Sequence, residues 1–352
     1  MGASFSVAYN VFKAEGLPSE GSFFEKTETA LSENMPFREE LSGFMDTARY
    51  ISGVRHFDNI YIGSEGSLLL DIEKPSSRAF SLTKNYITSF AERNQIKPYF
   101  MLIPTASAIL QHEIDSFARL EIYSQRNLIN SMYSEFDGAV RTTDIYQTLY
   151  DHRDEYIYYH TENIPTALGG FYIYGELCNR LGIEQKKLDS FSTAYVAHNF
   201  YGSLATDFFR PYSAPDFITF YEYTGEDFGI IMEHKNVNGT SRITEKLFYY
   251  NEKVFDDKTD MILGGISPVI EITSSENYGE RSSILVFGDS SAKSWLPFLA
   301  SNYGRITFVE LGLASEELLS EIKVSKYDQV LFAYSTASFV EEIPLEKLEY
   351  VQ

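Results

Sequence analysis

Hydrophobic positions along the chain fall into two textures. One is the short, continuous apolar run: Pro98-Tyr-Phe-Met-Leu-Ile103 closed by Pro104-Thr105, Ile284 to Phe287 closed by Gly288-Asp289-Ser290, Ile306 to Leu311, and Gln329 to Tyr334. Runs of this length without polar alternation predict strands buried on both faces, hence a parallel sheet. The other texture has helical spacing. Leu82, Tyr86, Ile87 and Phe90 predict a helix over Ser81 to Asn94; Leu120, Tyr123, Leu128 and Met132 predict one over Ala118 to Phe136; Ala167 to Leu181 reads as a third. Helix and strand alternate, which points to crossover units.

Smaller elements fill the gaps. Ile60 to Leu70 holds two apolar runs around Gly63-Ser-Glu-Gly66 and predicts a hairpin. Ala139-Val-Arg141 and Tyr156-Ile-Tyr-Tyr159 read as short strands, the latter followed by a loop from His160 to Thr166. Near the start, Asn34 can cap and Pro36 can open a helix whose core positions are Leu41, Phe44, Met45 and Ala48. Between about Tyr195 and Asp257 the chain turns aromatic and β-branched, with alternation in Phe217-Ile-Thr-Phe-Tyr-Glu-Tyr223 and turns at Thr224-Gly225 and Asn238-Gly239. An antiparallel insertion is expected there. The resulting organisation is 1–194 as the first part of an α/β domain with a helical lead-in, 195–260 as the β-rich insertion, and 261–352 as the second part.

Composition narrows the function more than the fold. The 352 residues carry 29 Lys and Arg against 50 Asp and Glu, a formal net charge of −21. Nucleic acid is excluded as the main partner, because phosphate recognition needs a basic patch. A single cysteine, Cys178, rules out an intramolecular disulfide and a cysteine metal cluster. The histidines have no companions at metal-ligand spacing, so neither a metal nor another cofactor is assigned. The 26 Tyr and 27 Phe residues are many for this length, and most are expected to fill the core and sheet faces.

The stretch with the clearest chemistry is Ser283-Ile-Leu-Val-Phe-Gly-Asp-Ser290, a buried strand entering a tight turn ahead of an amphipathic segment. A serine there sits at the carboxyl edge of the sheet over a helix amino terminus, a place that suits a nucleophile. The alternative is that Asp289 or Ser290 only caps the helix.

Several landmarks occur in an order that resembles the DHHW family of SGNH-hydrolase-like proteins, relatives of bacterial alginate and polysaccharide O-acetylation proteins. They are Pro36-Phe-Arg38, Tyr61-Ile-Gly63, Ile103-Pro-Thr105, Tyr158-Tyr159 with Leu168-Gly169-Gly170, Phe200-Tyr-Gly-Ser203, Leu263-Gly-Gly265, Asp289-Ser290 and Tyr327-Asp-Gln-Val-Leu331. The resemblance implies a flavodoxin-like, SGNH-hydrolase-type α/β fold, an extracellular or cell-surface location with a signal or anchor upstream of this stretch, and O-acetyl transfer on a polysaccharide or acetylated glycan. It also implies a possible partner, a membrane-bound O-acyltransferase.

Transferred by position, the resemblance makes Ser290 the nucleophile and Glu162 the acid. It assigns Gly264, Gly265, Asp289, Ser291 and Asn163 to the oxyanion site and pocket. The family signature Thr-Asp-His-His-Trp-Thr falls on Thr161-Glu-Asn-Ile-Pro-Thr166, so Ile164 stands where the base should be. An isoleucine accepts no proton at any pH. The expectation is therefore a catalytically degenerate member that binds carbohydrate or serves as an accessory in exopolysaccharide or cell-wall O-acetylation. Two alternatives stay open: an active O-acetyltransferase or acetylesterase in which His160 replaces the base, and an assembly factor that binds another protein.

Overall fold

The computed structural model describes residues 46–206, 208–225, 228–274 and 282–352. Residues through Phe57 form one unit and Asp58–Gln352 another. The first shows helical residues at 46–51 and a short strand, His56–Phe57; Ala48, expected in the core, is exposed. The expectations at Asn34, Pro36, Leu41, Phe44 and Met45 lie outside the described residues.

The second unit opens with the expected hairpin, β1 (Ile60–Ile62) paired antiparallel with β2 (Leu68–Leu70). Helix α1 (Ser77–Asn94) begins four residues before the predicted start, because the Ser76 hydroxyl accepts the Ala79 N–H at 3.0 Å. Strand β3 (Tyr99–Ile103) is buried throughout, as expected. The next helix, α2 (Gln125–Glu135), is shorter than its pattern predicts: Ser124 caps it, accepting from Asn127 N at 3.3 Å, and Leu120 lies outside, 84% exposed. Strand β4 (Arg141–Thr143) and helix α3 (Tyr146–Asp151) follow.

Tyr156–Tyr159 is not a sheet strand. Tyr158 forms an isolated antiparallel bridge with Pro165, and the Thr166 N–H donates to the Ile157 carbonyl at 2.9 Å, closing the loop on itself. Helix α4 (Ala167–Leu181) has its predicted bounds, capped by the Thr166 hydroxyl and ended by Gly182 in the left-handed region.

Strands β5 (Phe191–Phe200) and β6 (Asp216–Tyr223) form their own antiparallel pair. Strands β7 (Ile230–Lys235) and β8 (Ser241–Thr244), joined through Asn238-Gly239, instead extend the main sheet. That sheet is completed by β9 (Val269–Ser274), β10 (Ser283–Gly288), helix α5 (Ala292–Leu299), β11 (Arg305–Val309), helix α6 (Glu316–Ser320), β12 (Gln329–Ser335) and helix α7 (Thr336–Val340).

Eight strands lie in the order β4-β3-β12-β10-β11-β9-β7-β8. The first five run parallel and the last three antiparallel, so the sheet is mixed. Alternation along β10 divides the core: Ile284 and Val286 face α4 and α5, whereas Leu285 and Phe287 face α1 and α2. Helices on both faces of a largely parallel sheet make this an α/β fold of the expected flavodoxin-like class. Its functional edge is where β10, β11 and β12 end together.

Candidate functional site

The turn after β10 is built around Asp289. Its Oδ1 accepts from the Ser291 N–H at 3.0 Å and from the Ser291 hydroxyl, and its Oδ2 accepts from Ser335 N at 2.6 Å and Ser338 Oγ at 2.7 Å. One buried carboxylate thus ties the end of β10 to the end of β12 and the start of α7. Those four donors occupy Asp289 as a structural anchor, and they leave Ser291 buried with its hydroxyl engaged. Ser290, the next residue along, is exposed.

The loop from His160 to Thr166 is held from another direction. Asp216, buried at the start of β6, accepts from His160 N at 2.6 Å, Thr161 N at 2.9 Å, the Thr161 hydroxyl and Tyr156 Oη at 2.6 Å. His160 Nδ1 lies 3.5 Å from Asp216 Oδ1, and its ring packs against Tyr156 with centroids 5.0 Å apart. Among the described residues no hydrogen bond or ring contact joins His160 to Ser290. Glu162 accepts from both the N–H and the hydroxyl of Ser203 at 2.8 Å, which fastens the Tyr201-Gly-Ser203 loop. Asn163 keeps a buried side-chain oxygen without a partner among the described residues. Ile164 is 5% exposed and belongs to the hydrophobic core on the α4 and α5 face.

The glycine-rich segment has a left-handed backbone. Leu263, Gly264 and Gly265 have successive φ values of 59, 70 and 86°, a left-handed run that only glycine tolerates easily at the last two places. The Gly264 carbonyl accepts from Arg242 Nη2 at 3.0 Å, and the Gly265 N–H donates to the Ile262 carbonyl at 3.3 Å. Just beyond, Ser267 Oγ and His234 Nδ1 are 2.7 Å apart. His234 is 1% exposed, and burial with help from nearby Arg242 lowers its pKa to about 4, so the ring is neutral at physiological pH.

The same segment is clamped to the helix behind Ser290. Lys293, on the first turn of α5, is buried, with Nζ 2.5 Å from Asp260 Oδ1, 3.1 Å from Asp257 Oδ2 and 2.9 Å from Thr259 Oγ1. Burial would raise the Asp257 pKa, but the Lys293 charge and the bonds from Thr259 outweigh it and leave the carboxyl lowered. Helix α4 also closes on α5 here: a Cβ on Gly170 would stand 1.9 Å from the Ser294 carbonyl oxygen. Trp295 is fully buried, so it offers no platform for a sugar ring.

Ser290 opens onto a cavity of about 390 Å³ at the carboxyl ends of β10, β11 and β12. Asp289 and Ser290 line it together with Glu310 and Tyr334; His160, Glu162, Asn163, Gly264 and Gly265 do not. Burial raises the Glu310 pKa to about 7, the Gly312 N–H and Lys347 acting against burial while Asp289 adds to it. Tyr334 is 1% exposed, and its hydroxyl has no hydrogen-bond partner among the described residues.

Sequence reasoning missed Glu310, Tyr334 and Asp216. The first two carried a faint signal, since each sits at the final turn of a buried apolar run on the edge where Ser290 was expected. Asp216 carried none, because its partners are 55 and more residues away in sequence.

A family model described as DHHW protein matches residues 76–309. Among solved structures, a DHHW family protein from Eubacterium siraeum superposes with a TM-score of 0.65 at 20% identity, over 83% of this chain and 98% of its own. Bacillus cereus PatB1 with a sulfonyl adduct gives a TM-score of 0.67 at 15% identity, over 84% of this chain and 100% of its own. At such identities the likeness concerns the fold. No curated protein matches the chain by sequence.

Proposed function

Because this chain belongs to the DHHW family, we propose that it is a glycan-binding accessory member of an O-acetylation system, with an acyl-transfer centre that lacks its base. The observation that carries this reading is Ile164, 5% exposed in the hydrophobic core at the position where the family pattern calls for a histidine. Serine attack on an ester carbonyl needs a group to take the hydroxyl proton. The nearest histidine in sequence, His160, has its Nδ1 3.5 Å from Asp216 and its ring against Tyr156, and among the described residues no hydrogen bond joins it to Ser290. Asp289 cannot orient a base, since its oxygens already accept four hydrogen bonds.

In this reading the protein acts outside the cell or on its surface, beside a membrane-bound O-acyltransferase, and presents a polysaccharide or acetylated glycan to it. The scaffold is kept because the cavity beside Ser290 still binds. The test is hydrolysis of an aryl acetate by the purified protein, together with labelling by a serine-directed phosphonate. Neither turnover nor labelling at Ser290 is expected. Turnover abolished by Ser290→Ala would defeat the reading, and its further loss in His160→Ala would identify a rearranged base.

A further inference from the structure

The cavity beside Ser290 carries more negative charge than the turn requires. Asp289, Glu310, Glu341 and Glu342 all line it, and among the described residues no lysine or arginine does. The cations at its margin leave Glu310 without an ion pair among the described residues. Lys347 Nζ donates to the carbonyls of Leu311 at 2.7 Å and Ala314 at 2.9 Å, while Arg78 Nε lies 3.8 Å from Glu342 on the rim.

Within the cavity the acids differ. Asp289 is saturated by its four donors, whereas Glu310 accepts a single hydrogen bond among the described residues, from Gly312 N at 3.0 Å. A half-buried carboxyl with so few donors and a second carboxylate nearby is short of positive charge, and its pKa of about 7 has that physical origin as well as burial.

Tyr334 supplies an observation independent of the charge. It belongs to the cavity lining, is 1% exposed, and its hydroxyl is buried without a partner. Burial raises its pKa, and Glu310 and Asp289 raise it further, so the phenol keeps its proton. A buried group that can both donate and accept is left waiting for a polar atom that the described protein does not provide.

We propose that this cavity is a subsite for a primary ammonium group carried on a small hydroxylated ligand, with Glu310 as its counter-ion and the Tyr334 hydroxyl as a hydrogen-bond partner. The chemistry matches: an ammonium has three donors and no acceptor, and it needs a carboxylate when taken out of water. Leu313, Ile343 and Pro344 form apolar sides for the body of the ligand. At about 390 Å³ the space falls within the ordinary range for small-molecule sites. The inference rests on the glycan-binding reading above and adds that the bound sugar bears a free amine.

Calorimetric titration of the full chain with glucosamine trisaccharide and with N-acetylglucosamine trisaccharide tests it, with glycinamide as a third arm for an amine without a sugar. The deacetylated trisaccharide should bind at least about tenfold tighter than the acetylated one. Glu310→Gln and Tyr334→Phe, both near-isosteric, should each remove most of that preference while retaining the native circular dichroism. Equal affinity for the two trisaccharides, no binding of the deacetylated one, or an undiminished preference in both variants would overturn the proposal. Glycinamide binding as tightly as the glucosamine trisaccharide would overturn the hydroxylated part of the ligand assignment. Aryl acetate turnover would sink the accessory role without touching the amine preference. Absence of the preference in an inactive protein would sink only the inference.

Discussion

Glu310→Gln should make the protein more stable, and only at neutral and alkaline pH. The carboxyl has an ordinary pKa of 4.5, raised to about 7 in the folded protein. A raised value means that between those two pH limits the folded protein holds a proton that the unfolded chain has released. The contribution of Glu310 is therefore fully present below pH 4.5 and is lost as pH rises through about 7. Above that, the native state carries a poorly compensated charge. At about 1.4 kcal/mol per pH unit, the rise from 4.5 to about 7 corresponds to at most roughly 3.5 kcal/mol, and solvent at the cavity mouth should reduce the observed gain to about 1–3 kcal/mol. Glutamine keeps the shape and can still accept the Gly312 N–H. Urea unfolding, followed by circular dichroism and by the fluorescence of buried Trp295, should show the variant's midpoint above wild type at pH 8 and level with it near pH 4.5. A variant no more stable at pH 8, or a gap that does not change with pH, would refute the electrostatic account of the cavity.

His234 gives the opposite limb: its pKa falls from 6.5 to about 4 on folding, so stability is complete above pH 6.5 and lost as pH drops toward 4. In unfolding measurements across that window, His234→Gln should flatten the slope by an amount approaching about 3 kcal/mol. Gly170→Ala should destabilise by at least about 2 kcal/mol, since its Cβ would meet the Ser294 carbonyl at 1.9 Å and neither helix backbone can yield cheaply; a thermal midpoint equal to wild type would contradict the close α4 and α5 contact. Lys293→Met should cost about 2–3 kcal/mol, less than a fully buried pair, because Asp257 and Asp260 keep side-chain exposures of 42% and 33% and can recover water. Proteolysis of Lys293→Met should then cut first in the 257–265 segment, and an unchanged digestion pattern would argue against its role as a clamp.

Much of the fold was legible because it depends on short-range rules. Continuous apolar runs gave β3, β10, β11 and β12, and α4 keeps the bounds its pattern predicts, which the structure fixes with the Thr166 cap and Gly182. Where local pattern misled, a specific competing bond is visible. Ser124 starts α2 late and leaves Leu120 outside. Tyr156–Tyr159 has the residues of a strand, but Asp216 and the Thr166 N–H draw it into a closed loop. The β7 and β8 hairpin shares the composition of the β5 and β6 pair, yet β9 offers it a free edge and recruits it to the main sheet.

For the site, the sequence by itself determined the position of Ser290 in a strand-turn-helix and the presence of an isoleucine at 164, because residue identity and local spacing are all that those statements need. It could not determine which side chains stand beside Ser290. Glu310 and Tyr334 stand 20 or more residues from Ser290 and from each other, at the ends of separate strands. They meet only because β12 inserts between β3 and β10 and aligns three carboxyl ends. Burial, which shifts the Glu310 carboxyl and strands the Tyr334 hydroxyl, is a property of that assembled edge. No stretch of the chain carries it alone.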